Sequence, residues 1–240
     1  MGKNTYKLEY QKIKGEWVTY LLFLGIGAIF INKFIGIGIL FLNVIFTVVY
    51  KNNKDNNSSV YFNMALNFAK EGNVKEAKEY LNQSIKYNNL NREAYFFMGC
   101  ILFDEEKYKE ALEYLKRGHA DEVNDPSLHY VLGKCYYNVD VFHKAIKYLE
   151  NISYEGNCLF EKERMFTLGK SYAELERYED AYNTLEKINF SLDDNKEDYL
   201  EYCYYFGISC FHTERLEESK TYFNCVKEID NDYKYLSLYI

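Results

Sequence analysis

Apolar and polar positions follow two different rhythms in this chain. Residues 17–50 are almost continuously apolar, whereas residues 59–240 mix apolar and polar positions with a helical period. Trp17 to Ile31 carries no charge, Asn32-Lys33 interrupts, and Phe34 to Tyr50 is apolar again apart from Asn43 and Thr47. One helix through both runs would be about 51 Å long, against a hydrocarbon core of about 30 Å. It would also place Lys33 near the middle of a bilayer, at a cost of roughly 3 kcal/mol. The pattern therefore predicts two short helical arms, residues 17–31 and 34–50, turning at Asn32-Lys33. Each arm contains a Gly-x-Gly (Gly25 and Gly27, Gly36 and Gly38), where backbones can approach closely. A nucleotide loop would need a preceding strand, and none is predicted here.

Beyond residue 58 a pair of small residues returns. Ala65, Gly99, Gly133, Gly169 and Gly207 each follow an apolar residue and step by 34, 34, 36 and 38. Twelve residues after each stand Ala77, Ala111, Ala145, Ala181 and Ser219. Around the first small residue, Tyr61, Tyr95, His129, Met165 and Cys203 lie four before, and Phe68, Leu102, Tyr136, Tyr172 and Cys210 three after, making one buried helical face. Around the second, Val74, Tyr108, Phe142, Tyr178 and Leu216 lie three before, and Leu81, Leu115, Leu149, Leu185 and Phe223 four after. Short polar turns such as Glu71-Gly72-Asn73 separate the two helices. Each unit is an antiparallel helix pair that cannot bury both faces alone, so neighbouring pairs must stack.

Composition agrees with an all-α chain, since 240 residues contain one proline. Heavy use of Tyr, Asn, Lys and Ile points to an AT-rich, bacterial genome. Net charge is −7, but residues 1–54 carry +5 and leave −12 for the rest. An acidic repeat domain is a poor match for nucleic acid, whose affinity comes from phosphate neutralisation. The six cysteines show no C-x-x-C spacing and fall mostly at apolar positions, as small hydrophobes in a reducing compartment. Neither they nor the four histidines form a metal-ligand set, and no catalytic motif is present, so no enzyme, cofactor or metal is expected.

No small-residue cleavage site follows the first apolar run, so it is read as an uncleaved anchor; Tyr6 stands where an acylation motif needs Ser or Thr. Lysines flank both arms, which places both flanks, and with them the repeats, on the cytoplasmic side of a cell membrane. The expected organisation is a basic segment at 1–16, a membrane hairpin at 17–50, a polar linker at 51–58 with Ser58 or Ser59 as the next helix cap, and repeats at 59–240.

The period near 34, an apolar residue then Gly in the first helix, and Ala in the second resemble tetratricopeptide repeat (TPR) proteins, most clearly from Glu93 to Leu185. Ala65 and Ser219 depart from the usual Gly and Ala, a longer loop is needed near Ser191–Asn195, and Pro126 opens a helix rather than following one. The resemblance implies a right-handed helical-repeat solenoid of about five helix pairs, preceded by the transmembrane hairpin, whose first helices line a concave groove. Groove positions then include Phe62, Phe96, Tyr130, Phe166 and Tyr204, three before the first small residue. They also include Phe103, Tyr137 and Phe211, four after it, and Lys134 and Lys170, which follow a glycine, with simple solvation favoured over contact to an acidic partner. Phe62 and Leu66 stand where a carboxylate clamp would need Lys and Asn. The function expected is a membrane-anchored scaffold that binds a protein or peptide. The alternatives are an outward-facing envelope-assembly factor on a single span, and a subunit of a membrane complex. The closing segment Asp232–Ile240 is expected to begin a capping helix.

Overall fold

A computed structural model of the chain describes residues 8–118, 126–150, 152, 160–191, 195–234 and 236–239. Twelve α-helices occur among the described residues: α1 (Val18–Ile29), α2 (Lys33–Lys51), α3 (Lys54–Lys70), α4 (Val74–Tyr87), α5 (Arg92–Asp104), α6 (Tyr108–Gly118), α7 (Pro126–Asn138), α8 (Phe142–Glu150), α9 (Glu161–Glu174), α10 (Tyr178–Leu185), α11 (Lys196–His212) and α12 (Leu216–Ile229). A 3-10 turn at Leu236–Leu238 follows. Two compact units are formed, residues 1–105 with 113–120 and residues 106–112 with 121–240.

In the first unit α1 and α2 pack antiparallel. The chain reverses at Asn32, whose side-chain oxygen accepts hydrogen bonds from the amides of Phe34 at 3.0 Å and Ile35 at 3.3 Å. One glycine from each Gly-x-Gly makes the close approach. A Cβ on Gly25 would stand 2.7 Å from the Leu40 side chain, and one on Gly36 would stand 2.5 Å from the Ile29 backbone nitrogen; Gly27 and Gly38 meet nothing. Buried Asn43 donates to the Val18 carbonyl at 2.5 Å, so its amide is paired where water is excluded. By length and composition α2 can cross a membrane, while α1 has 12 residues.

The polar stretch 51–58 does not remain a linker. Helix α3 begins at Lys54, and Asn53, not Ser58 or Ser59, caps it by accepting from the amides of Asp55 at 2.9 Å and Asn56 at 3.1 Å. The buried polar residues Asn56 and Ser58 fit inside this helix because each finds a partner. Buried Ser58 donates to the Ser84 carbonyl at 2.9 Å, and Ser84 returns a bond to the Ser58 carbonyl at 2.8 Å.

From α3 onward, consecutive helices form the repeating pairs. The second small residues Ala77, Ala111, Ala145 and Ala181 are fully buried. Each glycine of the first set receives a large side chain from its partner helix. A Cβ would stand 2.6 Å from Leu115 at Gly99, and 2.5 Å from Leu149 and Leu185 at Gly133 and Gly169. At Gly207 the intruder is Phe223, at 2.8 Å. Ser219 fits at an alanine position because its hydroxyl donates to the Gly207 carbonyl at 3.0 Å.

The turn inside each pair holds one residue in the left-handed region. It is Gly72 in the first pair, but Glu106, Asp140, Glu176 and Glu214 in the others, at φ of 59°, 60°, 59° and 64°. The helix ends are closed by two reversed bonds. The Arg177 amide donates to the Tyr172 carbonyl at 2.9 Å and the Glu176 amide to Ala173 at 3.0 Å; Arg215 and Glu214 repeat this with Cys210 and Phe211.

The C-terminal segment forms the short 3-10 turn rather than a capping α-helix. Lys234 adopts a positive φ of 45°, which stops helix propagation. The turn instead buries Leu236 and lays the Tyr239 ring 5.1 Å from Phe223 and 5.2 Å from Phe211. Cys100, Cys135, Cys203 and Cys210 are buried and Cys225 is half-buried. Cys158, His119 and most of the 191–195 loop lie outside the described residues.

Candidate peptide-binding faces

In the second unit, α7, α9 and α11 present neighbouring faces. Alternating helical spacing puts Tyr130, Lys134 and Tyr137 on α7, Phe166 and Lys170 on α9, and Glu201, Tyr204, Tyr205 and Phe211 on α11. Lys170, expected to be solvated, is buried instead. Its ammonium lies 2.6 Å from the Glu201 carboxylate, 4.3 Å from the Phe166 ring centre and 4.8 Å from that of Tyr137. The paired carboxylate and two aromatic faces replace the water that this lysine gives up. Lys234 approaches the other Glu201 oxygen at 3.4 Å and sits 4.4 Å from the Tyr205 ring centre. The Tyr205 hydroxyl donates in turn to the Glu174 carboxylate. Burial alone would raise the Glu201 pKa, but Lys170 and Lys234 outweigh it and hold the carboxyl below its ordinary value.

Lys134 is the cation of this face least well served. Burial depresses its pKa, and the Lys170 charge depresses it further; Glu163 and Asp198 act in the opposite direction. Its ammonium stands 5.7 Å from the Tyr130 ring centre. Burial likewise pushes the Cys135 thiol up to about 12 and raises the Tyr137 hydroxyl above its ordinary range.

The groove positions divide by exposure. Phe62, Phe96, Tyr130, Phe166 and Tyr204 are buried. Phe62 packs edge-on to Phe97 at 6.2 Å, Tyr130 lies 4.3 Å from Phe160, Phe166 lies 4.9 Å from Phe190, and Tyr204 lies 5.4 Å from Tyr233. Phe103, Lys134 and Tyr137 are half-buried, and Phe211 is exposed. The structure gathers Lys134, Tyr137, Phe166, Lys170 and Tyr204 within the second unit, while Phe62, Phe96 and Phe103 belong to the first.

The first unit carries a polar face that the sequence did not disclose. Asn56, Asn63, Asn67 and Lys70 form one stripe along α3. Asparagines are so frequent in this chain that a spaced row of them does not stand out; its heptad interval from Asn56 to Asn63 was the available signal. Residues 10–14 lie along this stripe. The Gln11 amide donates to Asn63 Oδ1 at 2.7 Å while Asn63 Nδ2 donates back to the Gln11 carbonyl at 2.9 Å. Three residues on, the Lys14 amide donates to Asn56 Oδ1 at 2.9 Å and Asn56 Nδ2 donates to the Lys14 carbonyl at 2.8 Å.

Paired helices with small residues at each contact, repeated at the observed interval, define a tetratricopeptide-type repeat fold. Residues 68–135 match the family model described as tetratricopeptide repeat, and residues 104–188 match that of anaphase-promoting complex, cyclosome, subunit 3. Among solved structures, the chain is similar to YrrB, described as a TPR protein with an unusual peptide-binding site. Identity is 18%, TM-score 0.60, and coverage 80% of this chain and 95% of that one. It is similar to MamA from Desulfovibrio magneticus RS-1 at 17% identity and a TM-score of 0.53, over 75% of this chain and 98% of that one. It is also similar to Pseudomonas aeruginosa pilF at 14% identity and a TM-score of 0.51, over 90% and 93%. No curated protein matches the chain. At these identities the likeness carries the fold.

Proposed function

We propose that this chain is a membrane-anchored interaction scaffold that takes an acidic protein or peptide segment on the α7, α9 and α11 faces. The observation that carries this reading is Lys134, a desolvated cation beside half-buried Tyr137 and the buried Lys170 ion pair. A carboxylate brought beside Lys134 would pair its ammonium and offset the desolvation that lowers its pKa, and half-buried Tyr137, one turn further along α7, offers apolar area beside it. The buried aromatics Tyr130, Phe166 and Tyr204 keep this face rigid. YrrB, which shares the fold, is described as having a peptide-binding site. No catalytic role is proposed for any residue.

The anchor in this reading is the α1–α2 hairpin in a cell membrane, with the repeats on the cytoplasmic side. The contact between residues 10–14 and α3 supports it, because a single span would place those two segments on opposite sides. Capture of partners by the full chain in nanodiscs tests the binding face. Lys134→Met and Tyr137→Ala are each expected to weaken retention by about 1 kcal/mol or more. Retention unchanged by both would count against this face.

A further inference from the structure

Asn56 and Asn63 of the α3 stripe read backbone, not side chains, and their spacing suits an extended peptide. Asn56 and Asn63 are seven residues apart, about 10.5 Å along a helix at about 1.5 Å per residue. Gln11 and Lys14 are three residues apart, about 10 Å in an extended chain. Each asparagine amide therefore meets the backbone N–H and C=O of one residue with its acceptor and its donor. Side-chain contacts add selectivity to this register. The Gln11 amide donates to Asn91 Oδ1 at 2.8 Å and to Glu93 at 2.6 Å, and accepts from Asn91 Nδ2 at 3.1 Å. Asn91 is itself buried and donates to Ser58 Oγ at 2.8 Å. Tyr10 donates from its hydroxyl to Asn67 at 2.5 Å, and Lys70 donates to that hydroxyl at 2.8 Å while sitting 4.1 Å from the ring centre.

We infer that the α3 stripe is an extended-peptide site and that residues 10–14 are its built-in occupant, an autoinhibitory strap. The inference is independent of the second unit's face. Nothing in the four asparagine bonds depends on which side chains the bound segment carries, so a second extended segment with an aromatic residue followed by Gln makes the same contacts. The strap lies between the stripe and the start of α1, where Gly15 turns the chain at a φ of 92° against the Tyr50 ring. It therefore leaves or returns without disturbing the packed hairpin. As a tethered ligand it competes at a high effective concentration, which keeps the site closed to weak external peptides.

The test uses the full chain in detergent micelles and a fluorescein-labelled peptide with the sequence of residues 8–16. Gln11→Pro removes the amide hydrogen that Asn63 accepts and releases the strap. The released chain is expected to bind the peptide at least tenfold more tightly than the unaltered chain. Adding Asn63→Asp, which keeps the shape but removes the donor to the bound carbonyl, is expected to reverse that gain. Equal binding by unaltered and released chains, or none by either, overturns the inference. Hydrogen exchange on the unaltered chain reads the same claim without substitution. Excess unlabelled peptide is expected to accelerate exchange at the Gln11 and Lys14 amides while α3–α5 stay protected; unchanged exchange there contradicts the strap.

Discussion

Four acidic residues, Glu106, Asp140, Glu176 and Glu214, occupy a left-handed backbone position that the first pair gives to Gly72. The Cβ of an ordinary residue crowds the following carbonyl there, at a cost of roughly 1 kcal/mol. Glu176→Gly and Glu214→Gly are therefore expected to stabilise the chain by about 0.5–1 kcal/mol each, less the extra freedom glycine gains on unfolding. Urea unfolding of the single variants checks this, and lower midpoints would show that the side chains outweigh the strain. The glycines on the first helices behave oppositely. Gly169→Ala would set a methyl 2.5 Å from Leu185, a fully buried side chain. It is expected to destabilise by about 1–3 kcal/mol in the same assay, the usual range for overpacking. The small-residue rhythm was legible because each glycine copy meets a large side chain from the same position of its partner helix, Leu115, Leu149, Leu185 or Phe223. The left-handed turns were not, because glutamate, which holds three of these four positions, carries no signal for positive φ.

At the scale of elements, the helix pairs and their order could be read directly, whereas polar residues inside helices concealed two sites. Asn56 and Ser58 look like linker, yet they face partners inside α3. Lys170 looks like a solvated groove lysine, yet Glu201 lies 31 residues further on and meets it only after α9 and α11 pack. The Glu201 pair also sets a pH response. Its folded pKa is depressed below the ordinary 4.5, so its stabilisation is present above about that pH. It is lost as the pH falls through the lower folded value. Urea midpoints at about pH 6 and about pH 3.5 should therefore fall more for the unaltered chain than for Glu201→Gln. Lys170→Met, which leaves a half-buried carboxylate with the more distant Lys234, is expected to cost about 2 kcal/mol near neutral pH.

Across the whole molecule, charge is unevenly distributed: +5 over residues 1–54 and −12 over the remainder. The basic part brackets α1 and α2, the acidic part forms the repeats, and the strap ties the N-terminal segment to α3. On the proposed reading, these contacts keep residues 10–14 and α3 on one side of any membrane that the hairpin enters. The two apolar runs and their turn at Asn32 were readable in the sequence, because hydropathy needs no tertiary context. The strap was not, since a backbone-to-asparagine contact leaves no pattern in the residues it holds. Reporter fusions at Met1 and at Ile240 of the full chain, each carrying a reporter active only in the cytoplasm or only after export, test the anchored-scaffold reading most directly. Cytoplasmic activity at both ends is the expected result. Export-only activity at Ile240 with a cytoplasmic Met1 would contradict the hairpin and the tethered scaffold built on it.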